Sequence, residues 1–254
     1  PAYNEENSIQ CIIDELLNLN YIDRILVVDD GSKDKTALIS ALEGADVISL
    51  PCNKGKAFAM KRGYEAMETN ILIFLDGDII EGTDQLIELI KPICEQRAEA
   101  VIARLPMTPG KGGFGLVKAL ASKGMWYLTG QTYSSVLSGQ RAILRNILRP
   151  EFFEYKGFGI EFGMTLDMIS NNTRILEVDI NMRHNVTGRD LKGFIHRYRQ
   201  FSDILKVIIT KLKERLYSHL KTPIRGARQP LDIIILASSI IIAIISFSFL
   251  KKPL

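Results

Sequence analysis

The sequence predicts an α/β protein built on a mostly parallel central sheet, and three observations carry that reading. Short apolar runs alternate with segments of helical periodicity as far as about residue 180, the pattern of strand–helix–strand units joined by right-handed crossovers. Five consecutive apolar residues, Ile71 to Leu75, run straight into Asp76-Gly77-Asp78, as expected of a buried parallel strand whose charged tip leaves the core. Finally, 254 residues with 46% hydrophobic and 24% charged content suffice for a full core. One large domain with an appendage fits these figures better than two equal domains.

In chain order, Asn4 to Ser8 starts a helix whose apolar face is Ile9, Ile12, Ile13, Leu16 and Leu17. A strand from Arg24 to Val28 ends in Asp29-Asp30-Gly31-Ser32, with Ser32 expected to cap a helix reaching about Leu42. A short strand covers Asp46 to Leu50, and Asn53-Lys54-Gly55-Lys56 leads into a helix from Ala57 to about Met67. After the Ile71 strand come a helix from Thr83 to Cys94 and a strand from Ala100 to Arg104. Met107 to Gly115 is too glycine-rich for a core element and reads either as a loop closing over substrate or as a plain surface connection. Leu116 to Leu128 returns to helical spacing and carries Trp126, read as a packing residue; Glu161 to Ile169 reads as a helix and Ile175 to Ile180 as a strand.

A net charge of +3 does not by itself imply a nucleic-acid partner. Cys11, Cys52 and Cys94 are widely spaced and form no Cys-x-x-Cys pair, which points to a reducing compartment and away from structural zinc.

Chemistry concentrates where strands end. In open α/β sheets ligands bind at the carboxyl ends of the strands, and Gly77 allows a turn sharp enough for Asp76 and Asp78 to face one point. Such a pair is either an ordinary Asp-Gly turn or two hard oxygen ligands for a divalent cation shared with a diphosphate. Asp30 either accepts hydrogen bonds from a base and ribose or belongs to a helix-capping turn. Lys56, at a helix start, either reaches a phosphate or is solvated. Arg141 suits a phosphate or carboxylate, or is a structural arginine. No Ser–His–Asp arrangement suggests a nucleophilic triad.

Four motifs in order, Pro1-Ala2-Tyr3-Asn4-Glu5-Glu6, Val28-Asp29-Asp30-Gly31-Ser32 with Asp34 and Thr36, Asn53-Lys54-Gly55-Lys56, and Asp76-Gly77-Asp78, resemble the nucleotide-sugar half of glycosyltransferase family 2, the GT-A fold. The resemblance implies a Rossmann-like sheet and a nucleotide-sugar pocket formed by Pro1, Ala2, Tyr3, Glu5, Asp30, Gly55, Lys56, Asp76 and Gly77. Members carry a strand just before the first motif, so a segment upstream of Pro1 is expected. Ser138-Gly139-Gln140-Arg141-Ala142 resembles the segment recognising donor and acceptor at the sheet edge, with Arg141 as a catalytic candidate. Inverting members place an aspartate after the acidic residue that corresponds to Glu161, whereas Phe162 stands here. Gly157 to Gly163 is instead similar to the retaining glucosyl-3-phosphoglycerate synthases and their relatives, in which a later histidine completes the metal site. That resemblance makes His184 a third metal ligand beside Asp76 and Asp78, for Mg²⁺ or Mn²⁺, and Glu161 a base or an acceptor-positioning group.

From Leu191 to Leu220 apolar residues recur at three-and-four spacing among Lys192, Arg197, Arg199, Lys206, Lys211, Lys213 and Arg215. This basic amphipathic helix suits either an anionic membrane surface or packing on the domain. The almost wholly apolar run from Ile233 to Leu250 is long enough to span a bilayer, and Arg225 and Arg228 before it favour a cytoplasmic catalytic domain at the cell membrane. The expected organisation is a GT-A catalytic domain over 1–190, an amphipathic helix and linker over 191–230, and a transmembrane helix over 231–250.

Together these expectations describe a metal-dependent glycosyltransferase using a UDP- or GDP-sugar, with a polyprenyl phosphate or a small phosphorylated or carboxylated molecule as acceptor. Asp78, Glu161 and Arg141 are its catalytic candidates. A non-catalytic membrane protein that binds a nucleotide sugar is the alternative, disfavoured by the intact acidic pair. A nucleotidyltransferase is disfavoured because no glycine-rich triphosphate loop is present. Base, sugar, acceptor, stereochemistry and oligomeric state are not legible.

Overall fold

A computed structural model describes residues 1–106, 115–184 and 191–221, with side chains described except at residues 80, 184, 191–196 and 216–221. The chain forms one compact unit from Pro1 to Leu212, and a second unit begins at Lys213.

The first unit opens with α1 (Ile9–Leu17), which buries Ile9, Ile12, Ile13 and Leu16 of the predicted face, while Leu17, expected on that face, is exposed at the helix end. Strand β1 (Leu26–Asp29) is followed by α2 (Thr36–Leu42) and by β2 (Asp46–Ser49), which pairs with β1 in parallel. Helix α3 (Lys56–Ala66) leads to β3 (Ile71–Phe74), then β4 (Ile79–Glu81), a 3₁₀ turn over Thr83–Leu86 and α4 (Ile87–Cys94). Next come β5 (Ala100–Arg104), α5 (Leu116–Thr129), β6 (Arg141–Leu144), α6 (Ile160–Ser170), β7 (Ile175–Asp179), β8 (Arg183–His184) and α7 (Leu191–Lys221).

The four-stranded sheet has the order β3-β6-β5-β7. It is mixed rather than mostly parallel, because β6 runs antiparallel to both its neighbours while β5 and β7 are parallel. Of the segment expected at the sheet edge, Arg141 and Ala142 begin the inner strand β6, and Ser138 to Gln140 lead into it. A second correction concerns Ser32, which does not cap α2: the Asp34 carboxylate accepts the Thr36 amide at 3.0 Å, and the Ser32 hydroxyl accepts the Asn4 amide at 2.9 Å.

The core lies on both faces of the four-stranded sheet. Leu72, Phe74, Ile143, Met164 and Met168 pack on one face, and Leu86, Leu89, Val101, Ala103 and Ile180 on the other. Between β1 and β3, which belong to different sheets, lies a cavity of about 1110 Å³ lined by Val27, Leu72 and Leu75 among others, with Pro1 and Ala2 on its wall.

The apolar stripe of α7 is used within the domain. Ile204, Val207 and Ile208 are buried against Leu120, Ala121 and Met125 of α5 and Phe162 of α6. A Cβ at Gly124 would overlap the Ile208 side chain, so the two helices meet at a position without one. Of the two settings open for this helix, packing on the domain is the one adopted over this stretch, and its apolar side chains there are not free to enter a bilayer. Among the described residues no helix is long and apolar enough to cross a membrane; the apolar run at 233–250 and the glycine-rich run at 107–114 lie outside the described residues.

Candidate active site

The site is assembled by loops that hold one another. The Ala2 amide donates to the Val28 carbonyl at 2.9 Å and the Asp30 amide to the Ala2 carbonyl at 2.8 Å, setting the first motif beside the end of β1. Asn4, with a left-handed φ of 56°, accepts the Lys33 amide at 2.9 Å, and the Glu5 amide donates to the Thr36 hydroxyl at 2.8 Å. Most polar residues of the first two motifs thus knit these loops together, while the Tyr3 side chain stays exposed.

Asp30 is buried, and its two oxygens accept the main-chain amides of Lys54 and Gly55 at 2.7 and 2.8 Å. Gly31 lies so close to the backbone of Cys52 and Asn53 that any Cβ would collide with it. Asp30 thereby shapes the 52–55 loop, and the left-handed Gly55 delivers Lys56 as the first residue of α3.

Lys56 lies between two carboxylates that sequence spacing could not have joined. Its ammonium is 2.5 Å from Asp76 Oδ1 at the end of β3 and 2.5 Å from Glu161 Oε1 at the start of α6. Burial acts to lower the Lys56 pKa, but Glu161 and Asp76 outweigh it and hold the ammonium well above its ordinary value. Burial would likewise raise the Asp76 pKa, yet Lys56 holds that carboxyl below the usual range.

Asp76 is fixed from a third side. The Gln140 amide donates to its Oδ2 at 3.1 Å, and Gly139 lies so near that a Cβ there would overlap the carboxylate. Neither residue was singled out from the sequence, although both stand in the segment quoted for Arg141. Alternation along an extended chain was the available signal: Gln140 faces the carboxylate, so its neighbour faces away.

That neighbour is Arg141, expected as a catalytic residue, which the structure places in the interior. It is 0% exposed, and its guanidinium donates to the carbonyls of Ser138, Val136 and Glu161 and to the Thr165 hydroxyl. Burial pushes its pKa down, partly offset by Glu161 and Asp76. Arg141 anchors the loop before β6 and the first turn of α6 from beneath. Replacing it with Met leaves these buried acceptors without donors, and a loss of about 3 kcal/mol or more in urea unfolding is expected.

Gly77 is packed against Ala2 and the Glu5 side chain, and its carbonyl accepts the Ser8 hydroxyl at 2.7 Å, which also donates to Glu5 at 3.0 Å. The Glu5 pKa is raised, first by burial and further by Asp78, Asp34 and Asp76, so negative charge gathers around this turn. Backbone pairing of β4 with β8 sets His184 opposite Ile79, next to Asp78 in the chain. Among the described residues no group of three candidate metal-ligating side chains comes together; the His184 side chain lies outside them. Asp76 and Asp78, on either side of Gly77, have the hard-oxygen chemistry suited to a divalent cation.

The molecule is an α/β protein with a mixed sheet and a lysine-bridged carboxylate pair just beyond its strand ends. Residues 1–148 match the model of "Glycosyl transferase family 2", and the chain belongs to that family. Glucosyl-3-phosphoglycerate synthase of Mycobacterium tuberculosis is 28% identical over 192 residues, covering 66% of this chain and 58% of that protein, so the match spans little more than half of the relative. The UDP-N-acetylglucosamine–dolichyl-phosphate N-acetylglucosaminyltransferase of Methanococcus voltae is 29% identical over 180 residues, 59% of this chain and 69% of that protein. Among solved structures, the M. tuberculosis synthase with phosphoglyceric acid aligns with a TM-score of 0.69 at 23% identity, covering 83% of this chain and 77% of that one. The same enzyme with Mn²⁺, uridine diphosphate and glucosyl-3-phosphoglycerate aligns with a TM-score of 0.67.

Proposed function

We propose that this protein transfers a sugar from a UDP-sugar to a small phosphorylated or carboxylated acceptor with the help of a divalent cation. The observation that carries the reading is Lys56 bridging Asp76 and Glu161, beside the Gly77-Asp78 turn, in a chain of family 2. The relatives support it: one is named a glucosyl-3-phosphoglycerate synthase, and a structure of that enzyme is described with Mn²⁺ and uridine diphosphate. Uridine is favoured over guanosine because both relatives named above use, or are described with, uridine nucleotides.

In this reading Asp78, Asp76 and His184 hold Mg²⁺ or Mn²⁺, and the first motif with the Asp30-organised loop holds the nucleotide. The cation supplies Lewis-acid stabilisation of the departing diphosphate. Lys56 adds a fixed positive charge on the same side. Glu161, held by that lysine, orients the acceptor hydroxyl or accepts its proton. A polyprenyl-phosphate acceptor is a second reading, supported by the apolar run from Ile233 to Leu250 and by the name of the M. voltae relative. It would set the catalytic domain at the cytoplasmic face of a membrane.

The deciding experiment incubates the full chain and Mn²⁺ with UDP- and GDP-sugars, offering either 3-phosphoglycerate or polyprenyl phosphate in vesicles. Nucleoside diphosphate release together with a glycosylated phosphoglycerate supports the first reading, and a lipid product supports the second. Donor binding without release with either acceptor would leave a nucleotide-sugar-binding protein. His184→Ala is expected to weaken Mn²⁺ binding about 10-fold to 100-fold and to cut turnover in parallel. Unchanged Mn²⁺ titration and turnover would remove His184 from the ligand set.

A further inference from the structure

The Glu161 carboxylate is held over Lys56 by a turn that α7 braces from behind. Residues Gly157–Gly159 form a single 3₁₀ turn leading directly into α6. The Phe158 amide in its middle donates to Asp203 Oδ2 of α7 at 3.3 Å. Two glycines allow this approach: a Cβ at Gly157, where φ is +56°, would run into the same carboxylate, and one at Gly159 would stand 2.9 Å from Val207 Cγ2. The other oxygen of Asp203 is 3.2 Å from the Lys206 ammonium.

Behind the turn, the main chain of Glu161 is fixed independently. Its carbonyl accepts the Thr165 hydroxyl at 2.8 Å and Arg141 Nη1 at 3.4 Å. The nucleotide-facing parts have restraints of their own, since Asp30 holds the Lys54–Gly55 loop and Gln140 holds Asp76. Asp203 is the α7 side chain that accepts the main-chain amide of the turn by which the chain enters α6.

We propose that Asp203 is a positioning residue for the acceptor side of the reaction, setting the 157–159 turn and through it the Glu161 carboxylate relative to Lys56. The assignment rests on the transfer reaction proposed above. In Asp203→Ala the Phe158 amide loses its acceptor, whereas Asp203→Asn retains an oxygen that can take the same bond. Hydrogen exchange of the peptide spanning 155–161 is expected to speed up about tenfold in D203A and to stay near the original rate in D203N. With a UDP-sugar, Mn²⁺ and 3-phosphoglycerate, the acceptor KM of D203A is expected to rise about tenfold while the donor KM is unchanged, and D203N restores it. Gly157→Ala pushes the turn off the same carboxylate and is expected to reproduce the acceptor effect, which covers the case of D203A failing to fold.

Unaltered exchange in D203A, or donor and acceptor KM rising together, would overturn the assignment. If the unsubstituted protein transfers no sugar, the transfer reading and the acceptor role fall together, and the exchange data still report whether the brace exists.

Discussion

Lys56→Met is expected to destabilise the protein by about 3 kcal/mol at pH 8, and by clearly less at pH 5. Removing the ammonium leaves Asp76 and Glu161 as neighbouring carboxylates with little solvent between them. The expected loss sits at the lower end for a broken buried pair because the Lys56 side chain is 31% exposed and the Asp76 side chain 29%. In the unaltered protein the Asp76 pKa lies below its ordinary value, so its contribution is present above the unfolded pKa and lost as pH falls through the lower folded one. The Lys56 pKa is raised, so its contribution is present below the ordinary lysine value and lost only as pH climbs through the raised one. Both contributions are intact at neutral pH. Burial is already the largest single influence on Asp76; without Lys56 it is far less opposed and moves the pKa upward, so protonation relieves the strain as pH falls. Urea unfolding followed by far-ultraviolet circular dichroism at pH 5 and pH 8 checks this. A K56M protein that loses as much stability at pH 5 as at pH 8 would contradict the ion-pair account.

Gly139→Ala is expected to cut turnover by about 10²-fold while costing less stability than Lys56→Met, about 1–2 kcal/mol, because Lys56 keeps Glu161 and Asp76 can turn toward solvent. The added methyl lands on the Asp76 carboxylate, which is the free end of a side chain and can rotate away. Rotation breaks its bonds to Lys56 and Gln140 together and carries the carboxylate off the point where the strand end, α3 and α6 converge. The fold beneath, β3 paired with β6, is untouched by that movement. Steady-state turnover with UDP-sugar and Mn²⁺, beside a melting curve, separates the two effects. Full activity in G139A would mean that the position of Asp76 does not matter to the reaction.

Much of the architecture was legible because it follows from local periodicity. The α1 face, the β3 run and the β5, α5, α6 and β7 segments fall within a few residues of where their patterns placed them. Strand β6 was not legible, because its four residues open on an arginine and leave only three apolar ones, too short a run to read as a strand or to give its direction. Nor was the fate of the α7 stripe, since apolar side chains at helical spacing meet a membrane or a neighbouring helix equally well. Its burial against α5 and α6 over 204–208 is decided by Gly124, which brings α5 within contact.

The functional residues divide in the same way. By itself the sequence determined which residues stand at strand ends and helix starts: Asp30, Lys56, Asp76, Asp78 and Glu161. Those positions follow from short-range pattern and from the order of the motifs. Only the tertiary structure decided what each one touches. It joined Lys56 to Asp76 and to Glu161 across 20 and 105 residues of chain, turned Gln140 toward the carboxylate and sent Arg141 into the core. The physical reason is that a charged side chain buried near the core must find its partner wherever the fold presents one, and no local pattern encodes a partner so distant.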